Sequence, residues 1–338
     1  MHNVEIEIFC IAQTRLNPEA TRRWLDRCGA TEYPVPAVDD GSGHHSGCPG
    51  SDVGPHSSCA EVTDAGAVCG LCAKRCYMSF EVGLNPNVTR VRKDWFEYLD
   101  NVIKSQHGSV IEHATWTFAI EGVSRVFTGE MNRHRAGVAI SEGSMRYIRF
   151  DDIGFWMPHS LREGNMSLMP TKKCKACKGR GSTPQPIAPD IHQFEDILCA
   201  NCNGTGRINQ MATDVFEHKK ALTRGHFENA FTSMESVYAT MCRIWDIENL
   251  KDFDIKKKLT SMFRRVIGMG AATGGCWTMN TRALRHIAAL RTAPGAEEEI
   301  AYVLGEIGKY MVESEPALFA DFTRDEATGA WVPGTWKV

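Results

Sequence analysis

Alternating apolar and polar positions near the start of the chain predict a strand that is buried on one face. From Val4 to Ile11 the apolar residues alternate with glutamates, which is the period of a half-buried strand. Asn17 and Pro18 then predict the start of a helix, because asparagine caps helices well and proline suits the first helical position. Gly29 predicts the end of this helix. The chain is therefore expected to open with a strand and a helix.

Further along the chain the same two periods return. Apolar residues recur on one helical face between Asp94 and Ser105, which predicts a helix. Residues 115–121 alternate and predict a strand, and residues 122–135 fit a helix after it. Three more helices are predicted at 211–245, at 280–290 behind a cap at Asn280, and at 296–313. The tail after Phe322 is expected to be loosely ordered.

Two stretches interrupt this pattern and differ from it in composition. Residues 36–72 are rich in Gly, Ser, Pro and His, and residues 170–208 are rich in Lys, Gly and Pro. Neither stretch has the periodicity of a core element, so both are interpreted as insertions. We therefore expect a single domain over residues 1–338 that carries these two loops.

The totals limit the classes of protein that this chain can be. It has 338 residues, of which 43% are hydrophobic, so it can bury a substantial core. A net charge of −3 makes nucleic acid an unfavoured partner in bulk electrostatic terms, so any phosphate recognition has to be local. No segment has the pattern of a signal peptide or a membrane span. We expect a soluble, cytoplasmic protein without a membrane partner.

The cysteines indicate a metal site. There are 13 cysteines, and disulfides do not explain them in a compartment that keeps thiols reduced. Cys174 and Cys177 open one CxxCxGxG unit, and Cys199 and Cys202 open a second. Each CxxC turn places two sulfurs on one side of a metal, and the glycines that follow permit the tight turn. We predict a structural zinc ion held by these four sulfurs.

The first inserted stretch has a weaker metal pattern. It contains Cys48, Cys59 and the CxxC pair Cys69 and Cys72, with three histidines nearby. These residues could hold a second zinc ion, form a redox-active pair, or belong to a histidine-rich loop without a metal. The sequence leaves these three interpretations open.

An arginine-rich stretch carries the strongest hint of a ligand. Arg133, His134 and Arg135 are adjacent, and Arg146 and Arg149 follow them. Arginine grips phosphate with two parallel hydrogen bonds, and few carboxylates lie between these cations to neutralise them. The stretch therefore predicts a phosphate-rich ligand, with a solvated basic loop as the alternative.

Taken together, these motifs resemble the signature of the flavin-dependent thymidylate synthases. The shared elements are a His and a Glu-His pair before a strand, an Arg-His-Arg triplet, and a Ser followed by Arg-Tyr. The matching residues are His107, Glu112, His113, Arg133, His134, Arg135, Ser144, Arg146 and Tyr147. The segment from Lys74 to Tyr77 resembles the N-terminal Arg-x-Cys-Tyr element of the family, and the segment from Asn280 to Ile300 resembles its C-terminal helix pair.

The resemblance implies a fold, a reaction and a set of ligands. The fold would be α+β, with an antiparallel sheet flanked by long helices, in a homotetramer whose active sites lie between subunits. The reaction would be C5-methylation of a uracil nucleotide, with FAD as cofactor, NADPH as its reductant and methylene-tetrahydrofolate as carbon donor. The cysteine-rich insertions would lie outside this catalytic domain.

The resemblance also implies roles for individual residues. Those that would contact FAD are His107, Ser109, Glu112, Arg133, His134, Arg135, Asn280, Arg282 and His286. Those that would hold the nucleotide are Glu142, Ser144, Arg146, Arg264 and Arg291. Of these, Ser144, Arg146 and Glu142 would be the catalytic residues. Arg146 and Arg291 would bind the phosphate of the nucleotide, and Ser144 would polarise the pyrimidine.

The chain departs from the family pattern near the expected nucleotide site. Eight residues separate Arg135 from Ser144, where the family usually has seven. Glu130 stands where a Gln often precedes the triplet, and Gly268 follows the Arg264-Arg265 pair where Leu-Pro is common. A longer loop could admit a 2′-hydroxyl, so the sequence leaves the substrate open between dUMP, UMP and both.

A function of another class is also possible. The paired CxxCxGxG units resemble the cysteine-rich segment of J-domain co-chaperones, which would make the chain a zinc-ribbon adaptor for polypeptide or nucleic acid. That segment has more than two such units, and an adaptor would leave the arginine-rich stretch unexplained. The enzyme is therefore the leading hypothesis.

Overall fold

A computed structural model describes most of the chain. The described residues are 2–35, 62–145, 152, 154–186 and 194–336. The chain divides into two compact units, a larger one formed by residues 1–156 and 238–338 and a smaller one formed by residues 157–237. The prediction of a single catalytic domain with two insertions stays a prediction.

Helices and short strands both occur throughout the described residues. The strands are β1 (His2–Asn3), β2 (Glu7–Gln13), β3 (Thr115–Ser124), β4 (Val138–Glu142), β5 (Gly154–Phe155), β6 (Thr171–Lys173), β7 (Ser182–Pro186), β8 (Phe194–Leu198), β9 (Arg207–Asn209), β10 (Ala272–Asn280), β11 (Phe322–Arg324) and β12 (Trp331–Pro333). The helices are α1 (Pro18–Arg27), α2 (Asp64–Tyr77), α3 (Trp95–Lys104), α4 (Arg125–Met131), α5 (Thr213–Ile244), α6 (Phe253–Phe263), α7 (Thr281–Arg291), α8 (Glu298–Ser314) and α9 (Pro316–Phe319). Short 3-10 segments lie at Gly108–His113, His159–Leu161 and Arg264–Val266.

An antiparallel sheet forms the centre of the larger unit. Its four strands have the order β2-β3-β10-β4. The side chains of β3 alternate between buried and half-buried, because successive residues of a strand point to opposite faces. Trp277 in β10 lies opposite Phe118 on one side and Ile140 on the other, and both Trp277 and Phe118 belong to the main hydrophobic core. The described residues therefore have the mixed helix-and-sheet structure that the α+β prediction requires.

The predicted helices near both ends of the larger unit are confirmed. The side chain of Asn17 accepts a hydrogen bond from the backbone amide of Ala20 at 2.9 Å, so α1 starts where the cap predicted. Asn280 caps α7 in the same way, through the amide of Ala283 at 2.8 Å. The predicted helix at 122–135 is shorter than expected, since β3 continues to Ser124 and α4 ends at Met131.

The prediction that residues 36–72 form a loop is wrong for its last part. Residues 64–72 belong to α2, and Ala65, Ala67, Cys69 and Leu71 of this helix are buried in the main core. The remainder, including Cys48 and Cys59, lies outside the described residues, apart from Val62 and Thr63. Gly70 of α2 faces the ring of Trp95 so closely that a Cβ would lie 2.4 Å from it, and this close approach explains the glycine at this position.

The described part of the tail, from Phe322 to Trp336, is ordered, which contradicts the prediction that it is loose. It forms a hairpin of β11 and β12, and Trp331 in β12 is buried. The indole nitrogen of Trp331 donates to the carbonyl of Gly305 in α8 at 3.0 Å. At Gly308, one turn further along α8, a Cβ would lie 2.4 Å from this indole. Gly308 therefore makes room for the ring, whereas Gly305 contributes only its backbone carbonyl.

The smaller unit contains two short hairpins and most of the long helix α5. β6 pairs with β9, and β7 pairs with β8, both antiparallel. The prediction of a helix over 211–245 is confirmed by α5. Near its start, Lys220 is buried and its ammonium group donates to the carbonyls of Arg162 and Asn165 at 2.7 and 2.6 Å. Within the described residues, no helix is both long and apolar enough to cross a membrane.

Candidate functional site

The end of α3 turns the chain into the candidate site. After Ser105, the amide of His107 donates to the carbonyl of Val102 and the amide of Gln106 donates to that of Ile103. This pair of hydrogen bonds is a Schellman motif, whose left-handed position is usually glycine. Gln106 occupies that position with φ +60. A non-glycine residue is strained there by about 1 kcal/mol or more, which suggests that its side chain is needed.

A first cavity opens next to this turn. It has a volume of about 730 Å³ and is enclosed by residues of α2, α3 and the segments beside them. Two of the predicted FAD residues, His107 and Ser109, line it, and the ring of Tyr77 stacks on His107 with centroids 5.8 Å apart. Arg90, Arg92 and Arg282 also lie in its wall. The cavity is therefore partly aromatic and rich in positive charge.

A second cavity adjoins the first and shares Gln106 and Arg282 with it. It also has a volume of about 730 Å³. Three more predicted FAD residues line it, namely Glu112, Asn280 and His286. Arg282 donates to the carboxylate of Glu112 at 2.6 Å, and both side chains are nearly half exposed. Arg282 therefore stands at the junction of the two cavities.

Backbone contacts hold the wall of the second cavity in place. The amide of Asn280 donates to the carbonyl of Gly137 at 3.0 Å. Gly137 has φ +71, and a Cβ at this position would lie 2.6 Å from the side-chain amide of Asn280. A residue with a side chain is thus excluded at Gly137 both by conformation and by space. The segment after the Arg-His-Arg triplet is in this way fixed against the start of α7.

Two residues of the arginine-rich stretch, Arg133 and His134, already have partners within the chain. Arg291 donates from Nε to His134 at 2.8 Å and from Nη1 to Glu130 at 2.7 Å. His134 also lies edge-on to His286 with centroids 6.3 Å apart. Burial and then the Arg291 guanidinium lower the pKa of His134 below its usual value, so this imidazole is a neutral acceptor. Arg133 pairs with Glu130 at 3.1 Å with its side chain 70% exposed.

Glu142 is occupied by internal partners. Its carboxylate pairs with Arg125 and accepts a hydrogen bond from the side-chain amide of Asn132 at 2.9 Å. Asn132 in turn accepts from the indole of Trp277 at 3.3 Å. Arg125 also donates to the carbonyl of Gly143 at 2.7 Å, directly before Ser144. The carboxylate is thus engaged in positioning the loop that leads to Ser144, a role that the sequence did not indicate.

The other described residues predicted to hold the nucleotide do not line either cavity. Ser144 is half-buried at the end of the described segment, and Arg146 lies outside the described residues. Arg264 starts the 3-10 segment after α6 and is half-buried. None of the described nucleotide residues is in the walls of the two cavities, whereas six of the predicted FAD residues are. Arg135 is exposed and directly precedes Ala136, which lines the second cavity.

Several site residues were missed by sequence reasoning. Lys74 lines the first cavity, is 1% exposed and donates to the carbonyl of Arg92 at 3.0 Å. Burial lowers its pKa to about 8. Its ammonium lies 4.1 Å from the centre of the Tyr98 ring. Arg90 and Arg92 could have been identified from the sequence, because they are two cations separated by one residue, shortly before the helix cap at Asp94.

The four cysteines of the smaller unit meet as predicted. Their ligand atoms all lie within 4.8 Å of one another, and all four residues are buried. The sulfurs of Cys174 and Cys199 are 3.8 Å apart, and those of Cys177 and Cys202 are 3.7 Å apart. Zinc bound to four sulfurs at about 2.3 Å places them about 3.8 Å apart in a tetrahedron. The residues therefore fit a zinc ion.

Backbone amides complete this cysteine cluster. Gly181 donates to the sulfur of Cys177 at 3.3 Å, and Gly206 donates to that of Cys202 at 3.2 Å. A hydrogen bond from the amide of Cys177 is the main reason that the pKa of Cys174 falls to about 6. Such hydrogen bonds stabilise thiolates, which is the form that binds metal. One glycine of each CxxCxGxG unit thus donates its amide to a sulfur of the same unit.

The proposed second metal site is not assembled by the described residues. Cys69 and Cys72 lie on α2, and Cys69 is 0% exposed in the hydrophobic core. Burial raises the pKa of the Cys69 thiol to about 12, which disfavours the thiolate that zinc requires. Within the described part of the chain, the cysteines of the smaller unit are the only group of three or more metal-ligating side chains that meet. Cys48 and Cys59 lie outside that part.

Known proteins share this sequence pattern. A family profile described as "Thymidylate synthase complementing protein" matches residues 59–317. The flavin-dependent thymidylate synthase of Haloarcula marismortui is 25% identical over 230 residues, which are 67% of this chain and 74% of that protein. The flavin-dependent thymidylate synthase of Halobacterium salinarum is 29% identical over 238 residues, or 68% of this chain and 78% of that protein.

A solved structure gives a more distant likeness. A UMP/dUMP methylase from Streptomyces cacaoi, bound with 5-Br dUMP, aligns with a TM-score of 0.48 and 14% identity over 94% of each chain. This likeness is too distant to assign a fold. The family profile covers more than half of the chain, and it agrees with the signature residues in and beside the two cavities. The chain therefore belongs to the thymidylate synthase complementing protein family and is an enzyme of the flavin-dependent thymidylate synthase type, as its sequence resemblance predicted.

Proposed function

We propose that this enzyme methylates C5 of a uracil nucleotide, dUMP or UMP. The carbon donor would be methylene-tetrahydrofolate, and FAD reduced by NADPH would supply the hydride. Family membership supports the reaction class. For this chain, the proposal is carried by one observation: six of the predicted FAD residues line two cavities that meet at Arg282.

The two cavities suit a dinucleotide cofactor. FAD has a ring system at each end and a diphosphate between them, and each cavity has the size of a typical ligand pocket. Arg282 at the junction is suited to the diphosphate, because guanidinium binds phosphate oxygens in a bidentate manner. Lys74, Arg90 and Arg92 add positive charge to the first cavity. When bound, the flavin would supply the two electrons that convert a methylene group into a methyl group.

The nucleotide would be held by residues outside these cavities. Arg146 and Arg291 are the proposed phosphate ligands, and Arg264 would add a third cation. Ser144 would hydrogen-bond the pyrimidine, and Glu142 would hold the loop before it through Arg125 and Gly143. We propose that the nucleotide meets FAD between copies of the chain in a homotetramer. Glu142, Ser144 and Arg264 line neither cavity, and this supports a nucleotide site that lies outside the cavity walls.

The four-cysteine cluster is proposed to hold a structural zinc ion. All four ligand positions would be filled by cysteine sulfur, and the cluster is buried, so it has no open position for a substrate. The sulfurs, with the half-buried Ile208 beside them, form the hydrophobic cluster of this ribbon. The metal would therefore stabilise the ribbon in place of a larger apolar core.

The flavin and its use can be tested together. Purified protein is expected to be yellow and to oxidise NADPH when a uracil nucleotide is present. Arg282→Ala should lose bound flavin, whereas Arg243→Ala, which changes an exposed arginine on α5, should retain it. Colourless wild-type protein that also fails to bind added FAD would overturn the proposal.

A further inference from the structure

An exposed tryptophan lies at the second cavity and has no role in the site described so far. Trp336 lines this cavity together with Asn280, Arg282 and His286. Its side chain is 65% exposed. Among the described residues, its ring has neither an aromatic nor a cationic stacking partner. A large apolar ring is thus presented to a cavity whose other walls are mainly polar.

The hairpin that carries Trp336 is firmly attached to the larger unit. The amide of Trp331 in β12 donates to the hydroxyl of Thr292, just after α7, at 2.7 Å. The buried indole of Trp331 donates to Gly305 in α8. These contacts fix β12 against both helices, so the chain leaves β12 at a defined point.

A second anchor fixes the residues directly before Trp336. The carboxylate of Asp321 accepts two hydrogen bonds from Arg285 of α7, at 2.7 and 2.8 Å. The backbone carbonyl of Asp321 accepts from the amide of Gly334 at 2.8 Å, and its carboxylate accepts from the amide of Thr335 at 3.0 Å. Arg285 is 3% exposed, and its pairing with Asp321 lowers the pKa of that carboxyl, so the pair is ionised near neutral pH. The residue next to Trp336 is therefore tied to the same helix that contributes Arg282 and His286 to the cavity.

The remaining walls of the cavity show what kind of group would meet this ring. Besides Trp336 they consist of polar or charged side chains and the small residues Ala136, Gly137 and Ala283. Polar groups can bind phosphate and sugar, but they do not provide a flat apolar surface. The indole of Trp336 provides such a surface. Stacking on aromatic side chains is a common way to bind planar heteroaromatic rings.

We infer that Trp336 is a binding residue for a planar heteroaromatic ring, on which it stacks at the outer wall of the second cavity. The inference rests on the proposed function, in which the ring belongs to the FAD whose diphosphate lies at Arg282. The ring is either the adenine or the flavin, since both have the flat π-surface that indole accepts. Trp336 acts on the affinity for the cofactor and takes no part in the transfer of carbon or hydride.

Calorimetric titration of flavin-free protein tests this directly. Wild type, Trp336→Ala, Trp336→Phe and Trp336→Leu are titrated with FAD, FMN and ADP. Trp245→Ala is the matched control, because Trp245 is 53% exposed and lies outside both cavities. Each substitution replaces a mostly exposed side chain, so all variants should fold, and their circular dichroism should match that of wild type.

The expected result is a loss of FAD affinity that depends on aromatic character. Trp336→Ala should raise the Kd for FAD about tenfold, because this is the typical contribution of one stacked base to affinity. Trp336→Phe should remain near wild type, and Trp336→Leu should resemble Trp336→Ala. If ADP is weakened as well and FMN is not, the ring is adenine; if FMN is weakened and ADP is not, the ring is the flavin. Both outcomes support the stacking.

Three results would overturn the inference. The first is a Trp336→Ala protein that binds FAD as tightly as wild type. The second is a Trp336→Leu protein that binds as well as Trp336→Phe, because the residue would then be an apolar cover. The third is an equal loss in Trp245→Ala. Wild-type protein that binds no FAD at all would overturn the proposed function and, with it, this inference. The titration of the wild type alone distinguishes this outcome from the three results above.

Discussion

Arg291 and Glu130 form an ion pair at 2.7 Å, with their side chains only 17% and 23% exposed. The guanidinium that the family resemblance would place on the substrate phosphate therefore already has a carboxylate partner within the chain. It also donates to His134, which lies beside His286 in the wall of the second cavity. A nucleotide phosphate has to compete with Glu130 for this arginine, and Glu130 stands where the family often has glutamine.

Replacement of Glu130 by glutamine tests this competition. The amide keeps the shape of the side chain but removes its charge, so Arg291 should become more available to phosphate. Glu130→Gln is expected to tighten binding of dUMP and UMP about fivefold, which corresponds to roughly 1 kcal/mol for a partly buried ion pair. Isothermal titration calorimetry would measure it. The free nucleosides lack phosphate and should bind unchanged, and Asp26→Asn, in the remote Arg22–Asp26 pair, is the control. Weaker nucleotide binding by Glu130→Gln would contradict the assignment of Arg291.

Gln106 offers a test in which stability and binding move in different directions. Its φ of +60 suits glycine, and its side chain lines both cavities. Gln106→Gly should relieve backbone strain and leave the free energy of unfolding unchanged or raise it by up to about 1 kcal/mol. The same variant should bind FAD more weakly, because a cavity wall is lost. Urea unfolding and FAD titration would measure the two effects.

Gln106→Ala is the matched control for this position. It removes the side chain but keeps the strain, so it should weaken FAD binding without the gain in stability. If both variants bind FAD like wild type, the glutamine side chain does not belong to the cofactor site.

The buried carboxyl of Glu299 predicts how stability depends on pH. Glu299 is 2% exposed and accepts hydrogen bonds from Ser124, but burial raises its pKa from 4.5 to about 7. The folded state thus binds a proton more tightly than the unfolded state. The stability linked to this group is fully present below about pH 4.5 and is lost as the pH rises through about 7, by roughly 3 kcal/mol at most.

Glu299→Gln should remove this part of the pH dependence. The amide still accepts a hydrogen bond from Ser124 but never ionises, so the variant should lose less stability than wild type between about pH 5 and about pH 8. Urea unfolding at both pH values would measure the difference. Glu315 is buried and shifted in the same direction, so part of the slope should remain. An unchanged slope in Glu299→Gln would show that this carboxyl titrates normally.

Local patterns predicted the parts of the fold that have local causes. The Asn17 and Asn280 caps placed two helices correctly because the capping hydrogen bond lies within three residues of each asparagine. α2 was missed at 64–72 because a helix that is buried on most sides, with glycine against Trp95, has no amphipathic period. The tail hairpin packs Trp331 against Gly308 in α8, more than 20 residues earlier in the chain, and the sequence next to Trp331 contains no sign of this contact.

In the candidate site, too, some features have local causes and others depend on contacts between distant residues. The CxxCxGxG spacing is a local constraint that places the two sulfurs within each unit, whereas the meeting of the two units accompanies the pairing of β6 with β9 and of β7 with β8. The motif residues His107, Asn280 and Arg282 were identified through the family signature. Their arrangement around two cavities depends on the pairing of β3, β4 and β10, and the pairing of Glu142 with Arg125 depends on where α4 begins. Such contacts between distant residues leave no periodic trace in the sequence.

Removal of one sulfur tests the zinc site. Cys174→Ser should reduce the zinc content of the purified protein from one ion per chain toward none, because a four-sulfur site loses most of its affinity for zinc when one sulfur is removed. Elemental analysis by mass spectrometry would measure it. Cys28→Ser, a half-buried cysteine after α1, is the control and should retain zinc. Zinc content that is the same in Cys174→Ser and wild type would mean that the metal is held elsewhere.

The most direct test of the central claim is the product itself. Wild-type protein is incubated with FAD, NADPH, methylene-tetrahydrofolate carrying a labelled methylene carbon, and either dUMP or UMP, and the nucleotides are analysed by mass spectrometry. We expect at least one of the two nucleotides to gain a single CH₂ unit that contains the label, located on the base, with NADPH consumed in equal amount. Unchanged dUMP and UMP, from protein that is folded and saturated with FAD, would contradict the account.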